Sequence, residues 1–422
     1  MEKKRVLNNG LRLYSYRAEH THSFFISLFV RAGSMFESED ECGISHFLEH
    51  AAIRNVNYLM DGRLYSRLDR YGIDFNATTY TEMVRFYISG GVGSFTRAAD
   101  ILSYLFEPIS LPASELAAER LRIKAEIRED DDVGSLTAFT NGKVFENTSL
   151  SRFITGTCAS VSHIGVRKLE AYRRRVFTRD NLFLYVTGSF TDAELDYLSE
   201  ILGGCKLYEG ASHENIAPVP LGFADRRGAV HLKNASFTKV CFTFDIDMSV
   251  TSQTECDLLY SLLLSGYDSE LFIELSEKRG LLYDVGGNLD SYLNIGSLNF
   301  SFELREPKLY EALSMVVGLL CKYKRYIPED RFLTAPYVDN ADMLLDDPRE
   351  LNFTFGYENG ILRRGYRSLE DRKAAYSAVT RDRLSEVAAQ VFRLSNLTLT
   401  LKGNKKRIDL DKIKEIISAL GD

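Results

Sequence analysis

Two stretches of the sequence, one in each half, repeat the same order of residues. The first starts at Val176 and the second at Val391, and in both of them Val, Phe, Asn, Leu, Leu and Gly occupy the same offsets. A leucine also lies seven residues before each start, at Leu169 and Leu384. Each copy predicts a helix, a short turn, an alternating strand and a glycine turn into a further helix. A chance match is the alternative, but a repeat of this length favours a duplicated domain.

The two copies divide the chain into two domains of similar design. A segment rich in Gly, Ala and Pro without periodicity is typical of a linker, so we expect an N-terminal domain at 1–205, a linker at 206–228 and a C-terminal domain at 229–422. Each domain opens on strand-like alternation, at Ser23–Val30 and at Val240–Ile246. Grouped strands and helices predict α+β architecture, with a mainly antiparallel sheet in each domain and helices packed on one face.

Composition argues against some partners and compartments. The net charge is −7, whereas binding to a nucleic-acid backbone requires a concentrated patch of positive charge. We therefore expect no nucleic-acid partner. No apolar stretch is long enough to span a bilayer, and the first residues are charged, unlike the apolar core of a signal peptide. We therefore expect a cytoplasmic protein without a membrane partner. The 6 cysteines are scattered singly, which favours thiols over disulfides.

The sequence GISHFLEH brings two of the chain's 7 histidines close together. On an α-helix, His46 and His50 would lie on one face, and Glu49 would share it. Ser45 is expected to cap the start of this helix. Two imidazoles and a carboxylate suit zinc, which binds in a tetrahedral shell with one position left open for water. The alternative is an ordinary surface helix that happens to carry two histidines and a glutamate.

This motif alone leaves a metal ion short of a protein ligand, and a second helix can supply one. Residues 113–132 have strong helical propensity, and Glu119 and Glu126 lie seven residues apart, on one face. The apolar Ile127 follows Glu126 within an otherwise charged stretch, which fits a helix with one buried side. The alternative is an acidic helix exposed to solvent.

Together these motifs resemble the insulinase/pitrilysin family of zinc peptidases, which includes the mitochondrial processing peptidases. H-x-x-E-H is the inverted zinc-binding motif, and in this family it is followed by E-x-x-x-x-x-x-E. The segment NATT at 76–79 is similar to the family's N-A-x-T strand, and FIELSEKRGLLYDV at 272–285 is similar to its L-R-E-K-R-G-L-x-Y segment. The resemblance covers almost the whole chain, and tandem homologous α+β domains are also a property of the family.

The resemblance implies a role for each residue of the motif. His46, His50 and Glu126 would bind one Zn²⁺ per chain. Glu49 would act as the general base, and Glu119 would be the carboxylate that supports the ligands from behind. The implied activity is that of a zinc-dependent metalloendopeptidase.

The resemblance also implies substrate contacts, and at one position this chain departs from the family. Asn76 and Ala77 would lie on the strand edge that pairs with a peptide substrate, and Tyr283 would stabilise the reacting carbonyl. The family usually has an arginine seven residues before that tyrosine, where this chain has Ser276. In one reading, Ser276 does not matter for activity; in the second, Arg279 reaches into the site, and in the third, another chain supplies the missing arginine.

Half-length members of the family assemble as dimers that close like a clamshell around a chamber. The expected partners are therefore a peptide or unfolded segment and a homologous subunit, in a homodimer or a heterodimer. Loss of the arginine favours a zinc-bearing subunit whose partner supplies the Arg/Tyr pair. The alternative function is a non-catalytic structural or peptide-binding subunit of the same fold.

Overall fold

The structure is a computed structural model that describes residues 1–130, 136–214, 216–217, 230–232, 237–265 and 269–422, apart from the side chains of residues 130, 138, 283 and 284. The chain forms two compact units. The first comprises Met1–Asp132, Arg152–Asn215 and Ala341–Asp371, and the second comprises Val133–Ser151, Ile216–Asn340 and Arg372–Asp422. None of the described helices combines the length and apolar character needed to cross a membrane.

The described strands are β1 (Lys3–Val6), β2 (Arg12–Arg17), β3 (Ser23–Val30), β4 (Ile73–Thr79), β5 (Val84–Gly91), β6 (Leu182–Gly188), β7 (Thr238–Asp247), β8 (Leu282–Ser291), β9 (Ile295–Leu304) and β10 (Leu397–Lys402). The described α-helices are α1 (Ile44–Leu59), α2 (Leu64–Tyr71), α3 (Phe95–Ser103), α4 (Ala113–Asp130), α5 (Leu136–Val144), α6 (Cys158–Ser162), α7 (Val166–Val176), α8 (Asp192–Gly203), α9 (Gln253–Leu264), α10 (Glu270–Phe272), α11 (Leu309–Tyr323), α12 (Pro348–Phe355), α13 (Leu369–Ser377), α14 (Arg381–Val391) and α15 (Leu410–Ser418). π-Helical turns follow α10 at Ile273–Glu277 and α12 at Gly356–Ile361.

The first unit is built on a six-stranded sheet in the order β1-β2-β6-β3-β5-β4. β2 and β6 pair in parallel, and the other described neighbours are antiparallel. Alternation along β3 places Phe24, Ile26 and Leu28 in a core that they share with residues of α1, α3, α7 and α8. β4 is the last strand of this sheet, so one of its two sides has no strand partner among the described residues.

A segment from far along the chain covers the opposite face of this sheet. Phe29 and Phe355 belong to a second, smaller core on that face. Asn352, on α12, is fully buried and donates hydrogen bonds from Nδ2 to the carbonyls of Phe25, at 3.2 Å, and Tyr185, at 2.7 Å. The first sheet therefore carries its main helices on one face, as expected, and the additional helix α12 on the other.

The second unit has a four-stranded sheet in the order β10-β7-β9-β8, and each described pair is antiparallel. Val240, Phe242 and Phe244 of β7 pack with residues of α9, α11, α14 and α15 in a single core. The predicted α+β fold with two domains is thus confirmed. The boundaries predicted at 205 and 229 stay a prediction, because most of the second part of the linker lies outside the described residues.

The repeated sequence forms the same local structure in both units. α7, β6 and α8 follow one another in the first unit, and α14, β10 and α15 do so in the second. Asn181 donates a hydrogen bond from Nδ2 to the carbonyl of Val176 at 2.9 Å, and Asn396 donates to the carbonyl of Val391 at 3.2 Å. The shared asparagine is thus a cap for the last turn of the helix that precedes it.

We expect the two asparagines to differ in their contribution to stability. Asn181 is fully buried and also bonds to the carbonyl of Arg31 and the amide of His213. Asn181→Ala should lower the free energy of unfolding by about 2–3 kcal/mol, because it leaves buried backbone groups unsatisfied. Asn396 is only half-buried, so Asn396→Ala should lower the free energy of unfolding by about 1 kcal/mol. Urea denaturation of both variants checks this, and a larger loss for Asn396→Ala would contradict it.

Candidate metal centre

The start of α1 is fixed by a carboxylate that lies outside the helix. Oε2 of Glu37 accepts a hydrogen bond from the backbone amide of Gly43, and Oε1 accepts one from the backbone amide of Ser45, each at 2.8 Å. Gly43 is the N-cap residue with φ of 85°, a left-handed conformation that favours glycine. The predicted cap at Ser45 is wrong, because the Ser45 hydroxyl accepts the amide of Gly33 at 3.0 Å and bonds to the Tyr172 hydroxyl at 2.7 Å. The helix that carries the histidines is therefore held at its first turn from two sides.

His46 and His50 on α1 converge with Glu126 on α4. Nε2 of His46 lies 3.4 Å from Oε1 of Glu126, and Nε2 of His50 lies 3.5 Å from Oε2 of the same carboxylate. Ligand atoms of the three residues all lie within 4.8 Å of one another. Ligands about 2.0–2.1 Å from a tetrahedral zinc ion are about 3.3–3.4 Å from each other, and the two nitrogen–oxygen separations are close to this value. The two helices therefore bring together the three residues that the sequence indicated.

Burial sets the charge of one ligand. The side chain of His46 is 9% exposed, and burial together with the charge of His50 lowers the pKa of His46 to about 4. His46 is therefore neutral at physiological pH, the form in which an imidazole binds a metal ion. Burial alone would lower the pKa of His50 as well, but its hydrogen bond to Glu119 and the nearby carboxylates outweigh burial and raise it.

Glu119 supports His50 from behind. Oε2 of Glu119 lies 3.3 Å from Nδ1 of His50, which leaves Nε2 free to face Glu126. The side chain of Glu119 is 3% exposed. Although burial would raise the pKa of Glu119, its hydrogen bonds with His50 and Arg54 lower it overall, so the carboxylate stays charged. This is the supporting position that the sequence predicted for Glu119.

Arg54 is part of the site and was missed by the sequence analysis, which offered no role for it. Its Nη1 atom donates to Oε1 of Glu119, and its Nε atom donates to Oε2 of Glu115 at 2.6 Å. The spacing was a usable signal, because Arg54 lies four residues after His50 and Glu115 lies four before Glu119. Residues four apart share a helix face, so both lie beside residues already assigned.

Glu49 lies beside the candidate ligands and is oriented by the edge strand. The Thr79 hydroxyl, at the end of β4, donates to Oε2 of Glu49 at 2.5 Å. Burial raises the pKa of Glu49, while the hydrogen bond from Thr79 and the charge of His50 oppose that rise. Thr79 was part of the recognised NATT segment but had no assigned role. It fixes one carboxylate oxygen and leaves the other for a reacting group.

Asn76 and Ala77 lie on β4, the strand at the edge of the first sheet. The amide of Ala77 donates to Oδ1 of Asn76 at 2.8 Å. That amide therefore points away from β5, toward the side of β4 on which the described residues provide no strand. An exposed strand edge of this kind can accept an extended peptide.

The remaining predicted residues lie in the second unit. Tyr283 falls within β8, but its side chain is outside the described residues. Ser276 is half-buried in the π-helical turn that follows α10. Arg279, offered as a substitute for the missing arginine, is 48% exposed and lies 3.6 Å from Oε1 of Glu311. Glu311 also lies 3.1 Å from Lys308, so this exposed carboxylate is shared between two cations of its own unit.

Two family models match the chain. The model described as "Insulinase (Peptidase family M16)" matches residues 12–157, and the model described as "Peptidase M16 inactive domain" matches residues 163–335. The six residues His46, Glu49, His50, Asn76, Glu119 and Glu126 all fall within the first match.

Curated proteins with similar sequences include two described as uncharacterised zinc proteases. One, from Rickettsia felis, is 24% identical over 345 residues, which is 80% of this chain and 82% of that protein. The other, YmxG of Bacillus subtilis, is 23% identical over 403 residues, or 93% of this chain and 96% of that protein. A subunit of the mitochondrial cytochrome b-c1 complex of Caenorhabditis elegans is 24% identical over a shorter stretch, 43% of this chain and 39% of that protein.

Solved structures share the fold over nearly the whole length. A protease from Helicobacter pylori has a TM-score of 0.83 at 18% identity and covers 96% of this chain and 99% of that one. An M16-like peptidase from Alicyclobacillus acidocaldarius has a TM-score of 0.79 at 18% identity and covers 96% of this chain and 98% of that one.

Proposed function

The chain belongs to the insulinase family, peptidase family M16, and on that basis we propose that it is a zinc-dependent endopeptidase. The observation that carries the proposal is the convergence of His46, His50 and Glu126, with Glu49 beside them. The names of the related zinc proteases support the choice of metal. The proposed substrate class is peptides and unfolded segments, which would be enclosed in a chamber formed by two subunits.

The donor set fits zinc. Nε2 of His46, Nε2 of His50 and a carboxylate oxygen of Glu126 would hold the ion, and three protein ligands leave one position open for chemistry. Zinc held there would polarise the scissile carbonyl and make the attacking water more acidic. The carboxylate of Glu119 fixes the ring orientation of His50, and Arg54 holds that carboxylate in place.

Glu49 is the proton carrier of the proposed reaction. Burial raises the pKa of its carboxyl group above the usual range, which makes the carboxylate a better proton acceptor. It would take the proton from the attacking water and deliver it to the nitrogen of the leaving amine. Thr79 holds one oxygen of Glu49, so proton transfer would use the other.

The open side of β4 is the proposed substrate-binding edge. A peptide that adds to this edge would form main-chain hydrogen bonds, which give affinity across many sequences. Asn76 and Ala77 would contact the peptide, and Thr79 at the same strand connects that edge to Glu49. The amide of Ala77 would exchange its bond to Asn76 for one to the peptide. In a homodimer, Tyr283 would stabilise the reacting carbonyl as a hydroxyl donor.

Ser276 favours a heterodimer as the active form. A serine cannot replace a guanidinium group, and Arg279 is paired with Glu311. We therefore propose a partner chain that supplies the Arg/Tyr pair to the zinc-bearing subunit. Purification of the chain from its native host tests this: a homologous second subunit should accompany it. An active preparation that contains this chain alone would rule out the requirement for a partner.

A non-catalytic role is the competing proposal, because the second half of the chain matches a domain described as inactive. That match covers residues 163–335, whereas the proposed ligands and Glu49 lie outside it. The purified chain, assayed for zinc content and for cleavage of a mixed peptide library, separates the two. A peptidase should hold one zinc ion and cleave when its partner is present, whereas a structural subunit should hold none.

Arg54→Gln should weaken zinc binding about 10–100-fold, because loss of a group that orients a ligand has that effect in other metal sites. Arg54 fixes Glu119 and Glu115 together, and its removal frees Glu119 from its position behind His50. The matched control is Arg122→Gln. Arg122 also lies 3.2 Å from Glu119, but its side chain is 64% exposed, so its loss should change little. Competition with a chelator measures both, and equal effects would contradict the role of Arg54.

A further inference from the structure

Three arginines line a cavity of about 350 Å³ in the first unit. Arg12 belongs to β2, Arg31 follows β3, and Arg363 follows the π-helical turn after α12. The other lining residues are Tyr14, Asp180, Phe183, Ser212, Asn359 and Gly360. Positive groups from three separate segments thus meet at one concave site that no part of the proposed peptidase reaction uses.

Arg31 is a buried cation whose donors are incompletely satisfied. It is 4% exposed, and its Nη2 atom donates to the carbonyl of Gly360. Its Nε and Nη1 atoms are buried without a hydrogen-bond partner among the described residues. Burial and the charges of Arg363 and Arg12 lower the pKa of Arg31 to about 10, so the side chain still carries its charge at neutral pH. A buried, charged donor of this kind requires an acceptor.

Two carboxylates lie near the cavity, and one of them is paired with a lining arginine. Glu214 lies 2.6 Å from Nη2 of Arg363, and both side chains are 47% exposed. Arg12 donates from Nη2 to the main-chain carbonyl of Asp180 at 2.7 Å, rather than to its carboxylate. Neither acidic side chain is a hydrogen-bond partner of the buried guanidinium in the described structure. Three guanidinium groups are thus close to two carboxylates, which leaves an excess of positive charge and leaves Nε and Nη1 of Arg31 without an acceptor among the described residues.

We propose that this cavity binds a small molecule through a phosphate group. Guanidinium groups that approach from three segments suit a tetrahedral oxyanion with three terminal oxygens better than a planar carboxylate with two. Tyr14 and Phe183 line the same cavity, with ring centroids 6.0 Å apart, and offer an apolar wall for the rest of the ligand. The volume lies at the low end of the range of about 300–1,000 Å³ for small-molecule sites.

This site is separate from the candidate metal centre. Phe183 belongs to the smaller core, which includes residues of α12, whereas α1 packs in the main core on the other face of the sheet. Gly360 is the residue whose carbonyl accepts from Arg31, and a Cβ there would collide with the ring of Phe183. The close approach of main chain and ring is thus part of how the cavity is built.

The test uses the thermal unfolding of the full chain with inorganic phosphate, compared with sodium chloride at equal ionic strength. Because Arg31 is buried and its replacement can unfold the chain, Arg363→Gln is the test variant, since Arg363 is half-exposed. Arg67→Gln, on the exposed surface of α2, is the matched control. A parallel measurement with succinate at the same ionic strength tests whether a carboxylate binds in place of phosphate.

Phosphate should raise the melting temperature of the native chain by at least about 2 °C in a saturable manner. The Arg67→Gln variant should keep this rise, and Arg363→Gln should lose most of it. A rise no larger than that with chloride, or an equal rise in Arg363→Gln, would overturn the site. A saturable rise with succinate and none with phosphate would overturn the phosphate assignment.

Discussion

Glu49→Gln is expected to lower kcat for peptide cleavage by about 10²–10⁴-fold, the usual contribution of a general acid–base group. Gln keeps the shape of the side chain and can still accept the hydrogen bond from Thr79, but it cannot take a proton from water. It also removes a carboxylate that burial makes costly, so the folded state should be no less stable. The variant should therefore separate chemistry from folding.

Zinc content and thermal stability must be measured on the same Glu49→Gln sample that is assayed for cleavage. Zinc should remain at one ion per chain, since Glu49 is not among the three converging ligands. Glu107→Gln is the control, because Glu107 is an exposed carboxylate outside the site. Turnover by Glu49→Gln at the rate of the native chain, under conditions in which the native chain is active, would remove Glu49 from the mechanism.

Glu126→Gln is expected to weaken zinc binding by more than about 100-fold, beyond the effect of losing a supporting residue. The carboxylate of Glu126 faces Nε2 of both His46 and His50, so it is the shared element of the ligand set. An amide oxygen carries no negative charge and is a poor replacement in a zinc shell that favours imidazole and carboxylate. Peptide cleavage should fall with the bound zinc.

Glu129 provides a matched control for Glu126 on the same helix. It lies three residues further along α4 and is exposed. Because Glu126 is 40% exposed, Glu126→Gln should fold normally, and circular dichroism would check this. Glu129→Gln should bind zinc as the native chain does. If both variants bound zinc equally well, the third ligand would have to be sought elsewhere.

The repeat and the paired histidines could be predicted from the sequence because their signals are local. The offsets from Val176 and Val391 mark equivalent helix–turn–strand units, and both copies have the same asparagine cap. Residues four or seven apart on a helix share a face, so the spacing of His46 and His50 was sufficient to place both imidazoles together.

Other features depend on contacts between distant segments, which no local pattern reports. Glu37, rather than Ser45, fixes the first turn of α1, and it does so from outside the helix. α12 covers the second face of the first sheet from a position more than 150 residues after β6. Arg54 had no predicted role because its partners lie on α4. In each case a polar group or an apolar face finds its partner on a segment that is distant in the sequence.

The most direct test of the account is anomalous diffraction at the zinc absorption edge from crystals of the full chain. One strong peak per chain is expected, about 2.0–2.1 Å from Nε2 of His46 and Nε2 of His50 and in contact with the carboxylate of Glu126. A zinc-soaked crystal with no peak at these three residues, or with its peak at a different set of ligands, would contradict the central claim.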